Sequence, residues 1–567
     1  MTPSSHVPLT SQIPLSLVTP ERLNRDPLWW SWAIMALLVL GGLCLRLAWG
    51  GFPVQTDYPF ATAILLDGGS RMLAGQVPYH DFHTPIGFTY LGLVAGFLAL
   101  ADGLPHGLAL LSATAGAVIG AWAWYVSSIR YPLHLAATAS VTVGLMAASP
   151  AMFGYGPLNV TYGGHYSRLA WSILAVVILQ AAALPAHRPP GRARACAEGL
   201  GLGTCLGLLI GIKFTFLFAA LFVVACGWFH RCPDRRFVMA ILFGVIVTVA
   251  VGLVASRASL GDYLADCARV GGSVSLIDLL WSYRRKADLL TLGLLGAVAI
   301  WTWPSLSAGW KPAWRRPFPE AHLLAIVVLG IGLVLSASSG IEDASPSGLL
   351  ALLPLIGGHF HGPDGMRIRL GAVLIATAMF AAFGLRLAMP ILKGPYASES
   401  TYAALSEGPW RGLDFLPAVK GTDTAEGLVP QVWIQPRTLV CNAWFLYLRE
   451  GEALLRGRVA PEDRVLCMDY INPFPYLLGH QAPRGDNLYW SFNRNVSAAN
   501  APQAALLFAD AEWVMVPKRG LYRRSVEDKL EIYQSWIEQN YQLDSSNAWW
   551  NCFRRERPSV EPRSSLP

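Results

Sequence analysis

The sequence predicts a polytopic α-helical membrane protein with a C-terminal extracytoplasmic α/β domain, and three observations lead to it. Of 567 residues, 53% are hydrophobic and 14% charged, against about 25% charged residues in soluble domains. Apolar runs of about 17 to 25 residues, long enough to cross a bilayer, recur along the chain. From about Lys393 the composition turns to mixed charge with many aromatic residues and no spanning segment.

The runs lie near 29–49, 107–128, 133–150, 169–186, 237–256, 287–303, 321–338 and 370–390. A longer stretch, 197–230, reads as two helices meeting at Gly211-Ile212-Lys213, and 347–361 is a shorter span closed by "GGHFHGPDG". Together they predict about eleven crossings. Residues 1–28 are polar, and the run that follows is too long for a signal-peptide core, so it is expected to remain as a helix.

Charge sets the orientation. The segment "PIGFTYLGLVAGFLAL", 85–100, is short enough to cross or to lie along a surface. If it does not cross, Arg130, Arg188, Arg192, Arg194, Arg231, Arg235, Arg236, Lys311, Arg315, Arg316, Arg367 and Arg369 all fall on the side of the N-terminus. That agrees with the cytoplasmic bias of Lys and Arg. A segment 1–28 in the cytoplasm, a membrane domain 29–390, outer loops 50–106, 151–168, 257–286 and 338–346, and an outer domain 391–555 with a disordered tail 556–567 follow. The net charge of +7 is explained by these loops and implies no nucleic-acid partner; membrane lipids are the expected surroundings.

In the tail, "DRVLCMDY" and "EWVMVP" read as short buried strands, "SVEDKLEIYQSWIEQNY" as an amphipathic helix and "AWWNCFRRE" as a closing strand. A small α/β domain fits this order. The nine cysteines contain no CxxC pair, which argues against a structural zinc or a thioredoxin-type site. One disulfide among Cys441, Cys467 and Cys552 is open to an extracytoplasmic tail. Neither a GxSxG elbow nor a P-loop occurs.

The first outer loop concentrates the chemistry. "QTDYPFATAILLDGGSRMLAGQVPYHDFHTPIGF", 55–88, puts Asp57 just past the first span. A carboxylate beside low-dielectric surroundings is costly unless paired, metal-bound or used; alternatively Asp57 is a solvated loop residue or an N-cap. Asp67 reads as the polar face of a short helix, and Asp81 as a brace for the turn before Pro85. His80 and His83 flank Asp81, but the spacing lacks a third ligand and is a weak zinc signal.

The order of Asp57, the helix-forming stretch 61–73, Gly75, "PYHDF" and Pro85 resembles the first outer loop of the GT-C superfold of polytopic glycosyltransferases. This family includes relatives of protein mannosyltransferases and of the aminoarabinose and galacturonic acid transferases that modify lipopolysaccharide. The resemblance implies a GT-C-like layout over 29–390, a polyprenyl-phosphate sugar donor and a lipid or glycan acceptor. It also implies a role for Asp57 as general base, acceptor-orienting group or metal ligand, with Asp81 supporting it and Tyr79 and His83 near the substrate. Relatives often carry a second acid beside the first, where this chain has Tyr58, so a divalent metal stays open.

Further candidates lie in other outer loops. "TYGGHYSR" offers His165, Tyr166 and Arg168 to a sugar or phosphate, or else an interfacial aromatic belt with a snorkelling arginine. Lys213, between two half-spans, either snorkels or, as the resemblance implies, meets a phosphate. Arg284, Arg285 and Lys286 sit outside against the charge bias, as a lipid-headgroup contact or a solvated turn. Glu342 and Asp343 complete a metal or acceptor site or form an ordinary polar turn. The aromatic stretch "CMDYINPFPYLLGHQAPRGDNLYWSFNR" suits a carbohydrate-facing surface.

Two rivals remain at this point. A transporter or flippase requires charges at mid-membrane and related halves of the chain, and neither is evident. A non-catalytic membrane subunit predicts a tail domain that stands away from the first outer loop.

Overall fold

The computed structural model describes residues 27–50, 59–151, 160–182, 192–228, 235–271, 320–338, 346–357, 362–393, 437–492, 495–518 and 523–556. In chain order, the first part holds α1 (Pro27–Trp49), α2 (Pro59–Leu73), β1 (Phe82–His83), α3 (Phe88–Leu100), α4 (His106–Ser127), α5 (Leu133–Ala148) and α6 (His165–Ala182). It continues with α7 (Arg192–Ile212), α8 (Phe214–Trp228), α9 (Arg235–Ser256), α10 (Leu260–Gly271), α11 (Glu320–Ser338), α12 (Ser347–Leu350), α13 (Leu352–Gly357) and α14 (Gly362–Lys393). The remainder holds α15 (Arg437–Leu455), β2 (Val465–Cys467), α16 (Phe474–Leu478), β3 (Asp486–Asn487), α17 (Ala504–Leu507), β4 (Trp513–Pro517), α18 (Arg523–Asn540), β5 (Tyr541–Ser546) and β6 (Trp550–Arg555).

Among the described residues, five helices are long and apolar enough to cross a membrane: α1, α4, α7, α9 and the Val373–Lys393 part of α14. At 21 to 23 residues they reach about 32–35 Å, matching a hydrocarbon core of about 30 Å. The chain is thus a polytopic helical membrane protein. Prolines mark several starts, Pro27 and Pro59 as first helical residues and Pro132 just before α5, where a missing N–H leaves no bond unmade. The helices α1 and α9 present Leu37, Leu38, Val251 and Val254 outward, faces that acyl chains solvate. The expected span 287–303 lies outside the described residues.

Small residues let helices of the bundle approach closely. A Cβ on Gly116 of α4 would come within 2.5 Å of the Ala148 Cβ of α5, so the two backbones approach as small-residue pairs do in membranes. Thr142 donates to the Phe380 carbonyl at 2.7 Å and Ser149 to that of Leu387 at 2.6 Å, binding α5 to α14. Arg46 at the end of α1 donates to the carbonyls of Ile391 and Leu392 at 2.7 and 3.0 Å. It caps the last turn of α14, where a cation suits the helix dipole.

The expected interruption is present: α7 ends at Ile212, Lys213 stands alone, and α8 starts at Phe214. The short α3, 13 residues or about 20 Å, has both ends held by the C-terminal domain. Leu488 N–H donates to the His83 carbonyl before it, and Tyr476 hydroxyl donates to the Gly103 carbonyl after it.

The C-terminal sheet has the order β2-β4-β6-β5, with β2 and β4 parallel and the other pairs antiparallel. The strands predicted around residues 465, 515 and 552 and the helix before residue 540 are all present. Trp550 anchors α15 to this sheet, its indole N–H donating to the Tyr447 carbonyl at 2.8 Å. The disulfide left open among Cys441, Cys467 and Cys552 is not formed. Cys467 and Cys552 are buried free thiols, packed as small apolar side chains between sheet and helices.

A second, two-stranded sheet joins the two parts of the chain. β1 of the first outer loop pairs in parallel with β3, Phe82 opposite Asp486 and His83 opposite Asn487. Gly485 N–H also donates to the Asp81 carbonyl at 2.7 Å. The C-terminal domain therefore sits on the first outer loop, contrary to the arrangement a separate binding tail predicts.

Candidate functional site

Asp57 lies outside the described residues, as do Glu342, Asp343 and the Arg284, Arg285, Lys286 cluster. The helix that begins two residues after Asp57 is described, and its first turn faces two partners. Phe60 packs edge-on against Tyr470 and Trp444 of the C-terminal domain, with ring centroids 5.7 and 6.5 Å away. Thr62 accepts from Tyr162 N–H at 3.2 Å, and its hydroxyl lies 3.5 Å from that of Thr161. Gly163 follows, and a Cβ there would collide with Ala61.

This second-loop segment leads into α6 and its candidate residues. Arg168 is fully buried and donates to the carbonyls of Thr161 at 2.9 Å and Gly163 at 3.2 Å. A single hydroxyl-to-backbone step therefore separates the first turn of α2 from the guanidinium. Lys213 donates to Ser167 Oγ at 2.7 Å and lies 5.2 Å from the ring centroids of Tyr166 and Phe216. Aromatic faces hold an ammonium by charge–quadrupole attraction without cancelling its charge. The break between α7 and α8 thus brings Lys213 beside Tyr166, while Tyr166 packs against Tyr90 of α3 at 6.0 Å.

His165 occupies a different position. It is fully buried, its Nδ1 is 2.9 Å from the Tyr90 hydroxyl, and its Nε2 is 2.8 Å from the Ala147 carbonyl and 3.1 Å from Ser112 Oγ. A neutral ring donating from Nε2 and accepting at Nδ1 satisfies these partners. His165 is a core histidine that fixes where Tyr166 and Arg168 begin.

The first-loop residues divide by partner. Asp81 accepts from Val77 N–H at 2.8 Å and approaches His80 Nδ1 at 3.2 Å, bracing the turn as its place before Pro85 predicts. Tyr79 is buried with a φ of 69°, an uncommon conformation for a non-glycine residue. Its hydroxyl donates to the Ile86 carbonyl at 2.6 Å and its ring meets Tyr263 of α10 at 5.1 Å. His83 pairs with Asp266 of α10 at 3.1 Å, and Asp266 also accepts from Thr84 N–H at 3.0 Å. The two histidines of the H-x-x-H spacing thus turn to different carboxylates. Among the described residues no group of three or more His, Cys, Asp or Glu side chains is placed to hold a metal ion.

Close backbone contact joins the loop to the helix break. Gly87 N–H donates to the Ile212 carbonyl at 3.2 Å, and a Cβ at Gly87 or at Gly211 would overlap the opposite segment. The loop 76–87, the break at Lys213 and the second outer loop therefore form one locus.

Sequence reading missed Thr62, Asp266 and the set Asp67, Arg71 and Asp486. Asp67, expected on a polar helix face, is buried, because the C-terminal domain covers that face. Its i, i+4 relation to Arg71 was a visible signal for an ion pair; the third member, Asp486, is 415 positions from Arg71 and gave none.

No family model matches the chain. No curated protein matches it either. Among solved structures, the chain is similar to the crystal structure of ArnT from Cupriavidus metallidurans bound to undecaprenyl phosphate, with 13% sequence identity, 92% of this chain and 98% of that chain covered, and a TM-score of 0.40.

Proposed function

We propose that the protein is a membrane glycosyltransferase of GT-C type, moving a sugar from a polyprenyl-phosphate donor to a lipid or glycan acceptor at the outer face of the inner membrane. The observation that carries this reading is the convergence of the first outer loop, Arg168 and Lys213. The helix following Asp57 is bonded to Thr161 and Tyr162, Thr161 holds Arg168, and Lys213 is bonded to the adjacent Ser167.

The chemistry of such a transfer needs these residue types. The acceptor oxygen forms a bond to the anomeric carbon, the bond from that carbon to phosphate oxygen breaks, and the acceptor proton must leave. In this reading Asp57 orients the acceptor hydroxyl or takes its proton, with inversion at the anomeric carbon. Arg168 and Lys213 offset the charge gathering on the departing lipid phosphate. Tyr166 shapes the edge of that site. Glu342 and Asp343 of a late outer loop would act on the acceptor side, and any divalent metal would be recruited by Asp57 with them. Asp81, Tyr79 and His83 support the site by holding the loop, and His165 by holding the start of α6.

A carboxamide at position 57 keeps the shape and removes the base. Asp57→Asn is expected to abolish transfer, measured as the glycosylated lipid or glycan that disappears from cells lacking the wild-type chain, at equal abundance in the membrane. Full activity in this variant would remove Asp57 from the mechanism. Cells with and without the chain that show identical lipid and glycan profiles would exclude the transferase reading.

A further inference from the structure

Arg71 is 2% exposed and reaches four residues. Its Nε donates to Asp67 of the same helix at 2.9 Å, one terminal nitrogen donates to the Pro483 carbonyl at 3.2 Å, and the other lies 3.5 Å from Asp486. The guanidinium carbon stands 5.6 Å from the ring centroid of Phe82 in β1. Asp486 is itself fixed on its far side, accepting from the Trp490 indole N–H at 2.9 Å.

The bonds around this group share one direction. Gln76 donates to the Ala482 carbonyl at 2.6 Å, Gly485 donates to Asp81, Leu488 donates to His83, and β1 and β3 pair between them. All connect residues 71–83 to residues 482–488. A two-stranded sheet of two residues each cannot hold itself together in water. A planar cation bonded at three nitrogens, with carboxylates from both sides, can lock its register.

We propose that the C-terminal domain positions the first outer loop through Arg71, whose guanidinium locks the β1–β3 pairing and so fixes the loop that follows Asp57. The inference rests on the transferase reading for what the loop does, and on the bonds alone for how it is held. Arg71 is a positioning residue, and the domain is part of the catalytic framework rather than a detached sugar-binding appendage.

The test uses the full chain in detergent micelles. In Arg71→Met, amide hydrogen exchange at Gly485 and Leu488 is expected to rise at least about ten-fold, while Met468, bonded to Met515 within the domain's own sheet, stays within about two-fold of wild type. Arg71→Lys, which keeps the charge but loses the fork, is expected to fall between them. Asp486→Asn, which preserves volume, is expected to move the same two amides in the same direction should Arg71→Met fail to fold. Unchanged exchange at Gly485 and Leu488, or equal acceleration at Met468 in both Arg71→Met and Asp486→Asn, would overturn the proposal.

The second arm measures the glycosylated product in cells at matched membrane abundance. Arg71→Met is expected to lower it at least about ten-fold, with part restored by Arg71→Lys. Accelerated exchange with undiminished product also overturns positioning. A wild-type chain that makes no such product defeats the transferase reading instead, and exchange alone then decides whether Arg71 is the lock.

Discussion

The two ends of α2 are held by different kinds of force. At its start, three to five residues past Asp57, the helix meets the second outer loop through Thr62 and the C-terminal domain through the edges of Phe60. At its end it is tied by the buried ions Asp67, Arg71 and Asp486 and by the strand pair beyond them. Neutral hydroxyl bonds each contribute about 0.5–1.5 kcal/mol, whereas removing one partner of a buried ion pair costs about 3–5 kcal/mol. The far end is thus held by charge, and the bonds named at the start are neutral.

Breaking the anchored end gives the largest effect on stability. Arg71→Met leaves Asp67 and Asp486 buried without their cation, and is expected to cost about 3–5 kcal/mol, read as a lowered thermal midpoint of the full chain in detergent. Asp486→Asn retains an oxygen for the Trp490 indole N–H and removes only the charge facing Arg71. It is expected to cost about 2 kcal/mol in the same measurement.

Asp67 sharpens the comparison through pH. Burial pushes its carboxyl up to about 6 from an ordinary 3.8, with the neighbouring Arg71 opposing the rise. A carboxyl whose folded value lies above its unfolded one binds its proton more tightly in the fold. Its contribution is therefore fully present below about 3.8 and is lost as pH rises through about 6. Asp67→Asn, which still accepts from Arg71 Nε, is expected to cost about 1 kcal/mol at neutral pH. It should also remove this group's share of the stability change between pH 4 and pH 6.5, seen by comparing thermal midpoints of variant and wild type across that range. A pH slope identical to wild type would show that Asp67 titrates as an exposed carboxyl does.

How much of this was legible from residues alone follows the distance over which each feature is made. Membrane spans and the break at Lys213 are local, written in run length and in the Gly-Ile-Lys interruption, and so are the buried strands Val465–Cys467 and Trp513–Pro517. The bracing of a turn by Asp81 is equally local, an acceptor four residues from its donor. The joint between α2 and the C-terminal domain is not. "PRGDN" lies in the stretch that suits a carbohydrate-facing surface, and nothing near it signals that Asp486 will be buried against Arg71. His165 is similar: "TYGGHYSR" fits a sugar or phosphate contact or an interfacial aromatic belt, and its hydrogen-bond partners Tyr90, Ser112 and Ala147 come from three other helices. The disulfide stayed open in the sequence because compartment permits such bonds without bringing any two thiols together.

The neutral end makes the most discriminating prediction. Thr62→Val keeps the shape of the side chain and removes the hydroxyl that accepts from Tyr162 N–H, so the backbone linking the first outer loop to Thr161 loses one bond. A stability loss of about 1 kcal/mol is expected, below that of Arg71→Met or Asp486→Asn. If the start of α2 aligns Asp57 with the cations, product formation should nonetheless fall by about ten-fold, since misplacing a reacting group by about 1 Å can cost up to a hundred-fold in rate. The ratio of the two effects carries the meaning. A variant that loses activity in proportion to stability would make Thr62 a packing residue, whereas one that loses activity while melting like wild type would mark the Thr62–Thr161 contact as the link between the first outer loop and Arg168.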